Sequence, residues 1–94
     1  MSTAFENIKT RSDLTVKNVD DGLLILDKRN EKIHQLNSTA CFIWAELDAG
    51  KSPKNIAKKV VEEFDISRDV AIEDVRRAIE QFDTLQLLEP RKQG

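Results

Sequence analysis

His34 and Cys41 are the side chains of this chain best suited to metal binding or nucleophilic catalysis, and each is the only residue of its type. A zinc site needs about four ligands, and no further ligands follow these two at a recognisable spacing. A cysteine nucleophile needs a general base and an electropositive, partly exposed setting, whereas Cys41 lies between Ala40 and Phe42 in an apolar segment. No carboxylate adjoins His34 to orient it as a base. We therefore expect both side chains to pack, and predict no catalytic residue, metal or cofactor.

Composition narrows the function classes further. The 94 residues suit one domain, and the net charge of -2 lacks the basic excess of a nucleic-acid binder. No glycine-rich phosphate loop or nucleophile elbow occurs, one cysteine cannot form an internal disulfide, and no apolar run approaches a membrane span. We predict a cytoplasmic protein with a flexible N-terminal arm at 1–10, one folded domain at 11–90 and a flexible tail at 91–94.

Three short strands are predicted in the first half of the chain. Apolar and polar residues alternate from Leu14 to Val16, and Asp20-Asp21-Gly22 favours a tight reversal. The apolar run Leu23–Leu26 is typical of a central strand covered on both faces. A charged connection then leads to a third strand at Lys32–Leu36, with Lys32, His34 and Leu36 on one face.

Three helices are predicted to follow. Asn37 or Ser38 can cap the first, Ser52 with Pro53 begins the second, and Ser67 or Asp69 can cap the third. Helical spacing predicts their core residues as Ala40, Ile43, Trp44 and Leu47; then Ile56, Ala57, Val60, Val61 and Phe64; then Ile72, Val75, Ile79, Phe82 and Gln86. Strands grouped before helices indicate an α+β fold, a winged-helix-like three-stranded antiparallel sheet followed by three helices.

A winged-helix fold raises the alternative of a DNA-binding regulator. The third helix would then present basic or amide side chains to a groove, but the segment from Arg68 to Glu89 has three arginines and six acidic residues. Lys54, Lys58 and Lys59 form a small basic patch on the second helix, balanced by nearby acids. Nucleic acid is therefore the weaker alternative.

Peptide binding at the edge of the sheet is a sharper hypothesis. A third strand with one neighbour leaves unpaired N–H and C=O groups that an extended peptide can complete. The edge would comprise Lys32, Ile33, His34, Gln35 and Leu36. The alternative is that Lys32 and the charged turn before it merely discourage aggregation.

One segment resembles a known family. The string HQLNSTACFIWAELDAGKSPKNIAKKVVEEFDIS, followed by an amphipathic helix and LLE, is similar to the PqqD-like family of peptide chaperones and leader-peptide recognition elements. The resemblance extends from about Leu14 to Glu89. Its most specific part is the strand-to-helix junction, with Leu36-Asn37, Thr39-Ala40, Ile43-Trp44, Leu47-Asp48 and Gly50.

The resemblance implies a non-catalytic adaptor that captures the leader segment of a ribosomally made precursor peptide and presents it to a modifying enzyme, such as a radical enzyme or a leader peptidase. The leader would lie beside the third strand, in a groove against the third helix. On that helix we predict a groove side of Ala71, Asp74, Val75 and Ala78. Asp74 could pair with a basic leader residue or with Arg77.

The chain departs from the family pattern at Gln86, where a glycine often follows the third helix. We expect the helix either to end later or to end with a strained left-handed residue.

Overall fold

The computed structural model describes residues 8–20 and 22–89. Its strands are β1 (Thr15–Val19), β2 (Gly22–Asp27) and β3 (Lys32–Leu36), and its helices are α1 (Ser38–Asp48), α2 (Pro53–Phe64) and α3 (Arg68–Thr84). The strands form one antiparallel sheet in the order β1-β2-β3. The predicted α+β class and element order are confirmed. Within the described ranges, no helix is long and apolar enough to cross a bilayer.

Polar side chains begin each helix. Asn37 Oδ1 accepts a hydrogen bond from the Ala40 N–H at 2.9 Å, and the Ser52 and Ser67 hydroxyls accept from Asn55 and Val70. Each cap satisfies a backbone donor that the first helical turn leaves without a partner. Pro53 occupies the start of α2, where its missing N–H costs nothing. The predicted helix starts are confirmed, with the caps resolved to Asn37 and Ser67.

The core lies between one face of the sheet and the three helices. The predicted core residues of α1 are all buried, and Trp44 meets Phe82 edge-on with ring centroids 5.1 Å apart. Leu36 and Leu87 close the core from β3 and from the segment after α3. In α2, Val61 and Phe64 are only half-buried.

The structure corrects two core predictions. Along β2, Leu23, Ile25 and Asp27 are buried while Leu24 and Leu26 are half-buried, so helices cover one face only. In α3 the buried residues are Ala71, Val75, Ala78, Ile79 and Phe82, whereas Ile72 is 47% exposed and Gln86 is exposed. Small residues let α3 approach its neighbours closely. The face of α3 that packs on the core therefore carries Ala71 and Ala78, and Ile72 lies outside it.

The chain ends of the domain pair with each other. Thr10 forms an antiparallel bridge with Leu88, the Arg11 N–H donates to Leu87 O at 3.0 Å, and the Glu89 N–H donates to Lys9 O at 2.8 Å. Residues 9 and 10, predicted to belong to a flexible arm, therefore have backbone partners. Residue 8 of the predicted arm is described and packs against the core, whereas residues 1–7 and the predicted tail at 91–94 lie outside the described residues.

Candidate functional site

The candidate site is the outer edge of β3. In the described part of the chain, β3 pairs with β2 on one side and with no strand on the other. No Cα of β3 lies within 8 Å of a Cα of α3. A paired strand would lie about 4.8 Å from β3, so the α3 backbone does not occupy the position of a guest strand. We call the space between the β3 edge and α3 the cleft.

Register decides which backbone groups point into the cleft. A Cβ added to Gly22 would overlap the carbonyl oxygen of Leu36, so that oxygen faces β2. Backbone direction alternates along a strand, and His34 and Lys32 therefore also direct their N–H and C=O groups toward β2. The same alternation points the N–H and C=O groups of Ile33 and Gln35 outward. An incoming strand would find its hydrogen-bonding partners at these two residues.

The side chains of β3 divide between the two faces of the sheet. Ile33 is 68% exposed and Gln35 is exposed, both on the face away from the helices. His34 is half-buried on the helical face, and Leu36 is buried in the core. The His34 Nε2 atom is buried and has no hydrogen-bond partner among the described residues. Because the atom is buried, a guest side chain could reach it only after the side chains that cover it had moved.

A polar cavity lies where β3 approaches the end of α3. Its volume is about 270 Å³, and its lining comprises Asn30, Lys32, His34, Thr84, Leu85 and Gln86. Lys32 and His34 were predicted site residues. The other four were not, although the departure from glycine at Gln86 already marked this end of the helix.

The four residues predicted on α3 are not exposed as a groove wall. Ala71, Val75 and Ala78 are at most 7% exposed and belong to the core, and only Asp74 remains half-exposed. The described residues contain no ion pair between Asp74 and Arg77, because Arg77 pairs with Glu73 at 3.1 Å. Peptide binding by these residues stays a prediction, and three of them could contribute only if the core rearranged.

An ion pair that the sequence did not predict holds this end of the cleft together. Arg11 donates to both Asp27 carboxylate oxygens, at 2.9 and 3.1 Å, and to the Gln86 carbonyl oxygen at 2.9 Å. Asn30 donates to the same carboxylate from its side chain at 2.8 Å. Chiefly through its bond to Arg11, the pKa of Asp27 lies well below its usual range. The pair fixes Asn30 and Gln86, which both line the cavity.

The thiol of Cys41 is a packing group. It is half-buried, its Sγ lies 3.8 Å from the Leu36 carbonyl oxygen, and burial raises the pKa of the thiol. A raised pKa disfavours the nucleophilic thiolate. Within residues 8–20 and 22–89, no three His, Cys, Asp or Glu side chains cluster to hold a metal ion.

Comparison with known proteins agrees with this geometry. The model of the family "Coenzyme PQQ synthesis protein D (PqqD)" matches residues 22–88, which is most of the chain. The chain belongs to the PqqD family. No curated protein matches this PqqD-family chain.

Two solved structures share the fold of this PqqD-family protein. A lasso peptide synthetase B1 complexed with the leader peptide is 28% identical, with a TM-score of 0.81 over 88% of this chain and 98% of that one. TbiB1 in complex with the TbiA(beta) leader peptide is 22% identical, with a TM-score of 0.81 over 90% of this chain and 99% of that one.

Proposed function

We propose that this PqqD-family protein is a non-catalytic adaptor that binds the leader segment of a ribosomally synthesised precursor peptide and presents the remainder to a modifying enzyme. The observation that carries the proposal is the pair of outward-facing backbone positions, Ile33 and Gln35, beside an open cleft. The fold match to a B1 protein that holds a leader peptide supports the same role.

The leader adds as a fourth strand next to β3. Main-chain hydrogen bonds at Ile33 and Gln35 supply register and much of the affinity, and neighbouring side chains select the sequence. Ile33 contacts guest residues on the outer face of the sheet, while Lys32 and His34 contact those that enter the polar cavity. The Leu36 side chain is buried in the core and holds this edge of the sheet in position.

No observation favours the DNA-binding alternative. The α3 helix, which would enter the groove, lies in an acidic segment, and three of its arginine contacts are with its own carboxylates at Glu73 and Glu80. A recognition helix must leave such donors free for bases and phosphates.

The test uses the leader of the precursor peptide encoded beside the gene, titrated into the ¹⁵N-labelled protein. We expect saturable amide shifts at 32–36 and at the end of α3. Gln35→Pro removes one outward N–H and places a ring where the guest strand would lie, without removing a bond to β2. Its matched control is Asn18→Pro, which makes the same change on the outer edge of β1.

Gln35→Pro is expected to weaken leader binding by about tenfold or more, and Asn18→Pro to leave the affinity unchanged, because only the first blocks the guest's edge. Amide spectra of the free variants establish that both remain folded. Equal affinities for the two folded variants, or an unshifted β3 in the wild-type titration, would contradict strand addition at this edge.

A further inference from the structure

A second surface, between α2 and α3, has no role in the proposed leader site. Two adjoining cavities of about 320 and 270 Å³ lie there and share Lys54, Ala57, Arg68 and Ile72. We define the α2–α3 groove by these four residues together with Lys58 and Val61. The groove contains most of the basic patch that the sequence places on α2.

The floor of the groove is apolar and partly exposed. Ile72 is 47% exposed, Val61 is half-buried, and Ala57, which lines both cavities, is buried. An isoleucine that the fold needed only for its core would be covered, as Val75 and Ile79 are on the same helix. Contiguous exposed apolar side chains with a polar rim mark interaction surfaces.

The rim of the groove is basic. Lys54, Lys58 and Arg68 form no ion pair with any residue of the described ranges, whereas Arg76, beside them, is neutralised by Glu73 and Glu80. Glu62 is the only carboxylate in the lining of the two cavities. Three unpaired cations around an apolar floor complement a segment that is apolar on one face and acidic along its flank.

The dimensions fit a short helix. From Lys54 to Val61 the groove follows α2 for eight residues, or about 10 Å along the axis, which spans about two turns of a helix lying parallel to it. Apolar anchors at i, i+3 or i+4 and i+7 would cover such a length. A duplex would need phosphate contacts along the surface and would gain nothing from Ile72 and Val61.

The groove and Asp74, the predicted leader-binding residue of α3 that is not buried, lie on opposite flanks of that helix. At about 100° per residue, Ile72 and the half-exposed Asp74 are about 200° apart around the helix. The buried stripe of Ala71, Val75 and Ala78 faces the core between these flanks. The groove also shares no lining residue with the polar cavity beside β3, so both surfaces can be occupied at once.

We infer that the α2–α3 groove docks an acidic amphipathic helix of the peptide-modifying enzyme, which holds the adaptor and its leader beside the enzyme's active site. The inference rests on the proposed function. A small, charge-guided contact suits an adaptor that must release its enzyme after delivery, because such interfaces are weak and form rapidly.

The test measures association of the wild-type protein with the purified modifying enzyme encoded beside the gene, by calorimetry, with and without the leader peptide. Lys58→Glu reverses a rim charge and Ile72→Ser removes an apolar anchor. Lys59→Glu is the matched control, because Lys59 is exposed on the same helix and does not line the groove. Leader affinity is measured separately for every variant.

We expect Lys58→Glu and Ile72→Ser each to weaken enzyme association about tenfold or more, with leader affinity unchanged, and Lys59→Glu to change neither. The inference is overturned if the wild-type protein does not associate with the enzyme, or if Lys58→Glu and Lys59→Glu have equal effects. Leader binding is tested independently by its own titration. Salt-sensitive binding of duplex DNA that Lys58→Glu abolishes would assign the groove to nucleic acid and overturn the inference too.

Discussion

Replacement of Gln86 by glycine should stabilise the protein, although it deletes a whole side chain. Gln86 has φ of +63° and follows the last residue of α3 by two positions. Its N–H donates to Asp83 O and the Leu87 N–H donates to Phe82 O, both at 2.9 Å, which is a Schellman motif with Gln86 in the left-handed position. The sequence predicted either a longer helix or such a residue, and the second outcome is confirmed.

The magnitude follows from two opposing terms. A non-glycine residue in the left-handed region costs about 1–2 kcal/mol. Glycine regains this amount but loses about 0.5–1 kcal/mol more backbone entropy on folding. Because the Gln86 side chain is exposed and donates no hydrogen bond among the described residues, little else changes. The net gain is about 0.5–1 kcal/mol, or a rise in Tm of about 2–8 °C for a domain of this size.

The assay is urea unfolding followed by the fluorescence of Trp44, the only tryptophan, which is buried. The matched control is Gln81→Gly, an identical substitution five residues earlier at an exposed helical position of α3. There glycine should lower the free energy of unfolding by about 0.5–1 kcal/mol. If Gln86→Gly were no more stable than the wild type, or changed stability with the same sign as Gln81→Gly, the left-handed assignment would be refuted.

Two further substitutions test the packing that supports the edge. Gly22→Ala should destabilise the protein by more than about 2 kcal/mol, because φ is +141° and the new Cβ meets the Leu36 carbonyl oxygen. Gly50→Ala is the control: its φ is +91° but the space around it is open, so it should cost less in the same urea assay. Asp27→Asn should lower Tm at pH 7 and should make Tm depend less on pH in the acid range. Because Arg11 lowers the folded pKa of Asp27 below the unfolded value of about 3.9, its stabilisation is complete above that value and is lost as pH falls through the folded pKa. A wild-type Tm that did not fall between neutral and acid pH would contradict this role. Asp13→Asn is the control, because Asp13 is the exposed partner of Arg11, and it should alter the dependence of Tm on pH less than Asp27→Asn does.

If leader binding and enzyme docking use the two flanks of α3, the adaptor can bind both partners without competition. The edge of β3 supplies directional backbone bonds that suit an extended peptide of varied sequence. The α2–α3 groove supplies charge and apolar contact, which suit one folded partner. The two titrations separate these roles because no variant of one surface alters the lining of the other.

The order and type of the elements were predictable because they depend on local patterns. The α1 stripe of Ala40, Ile43, Trp44 and Leu47 follows from helical spacing alone, and the caps at Asn37, Ser52 and Ser67 act within three residues. The limits of β3 were also predicted correctly, since a charged turn precedes it and a cap follows it.

Spacing could not distinguish the two sides of α3. Ala71 and Ile72 are adjacent, and the apolar pattern favours the larger side chain for the core, but close approach to neighbouring elements favours the alanine. Three of the four predicted groove residues, Ala71, Val75 and Ala78, consequently fell in the core. Of the residues that line the polar cavity, the sequence predicted Lys32 and His34 and missed Asn30, Thr84, Leu85 and Gln86.

The sequence by itself determined the helices, the strands and the family resemblance, because periodicity, caps and turn residues act over a few positions. Tertiary structure decided the contacts between distant segments: Arg11 with Asp27 and Gln86, the outward direction of Ile33 and Gln35, and the union of Lys54 and Lys58 with Arg68 and Ile72. These depend on strand register and on the angles at which helices pack. Such quantities are set by the whole core at once, and no local segment encodes them.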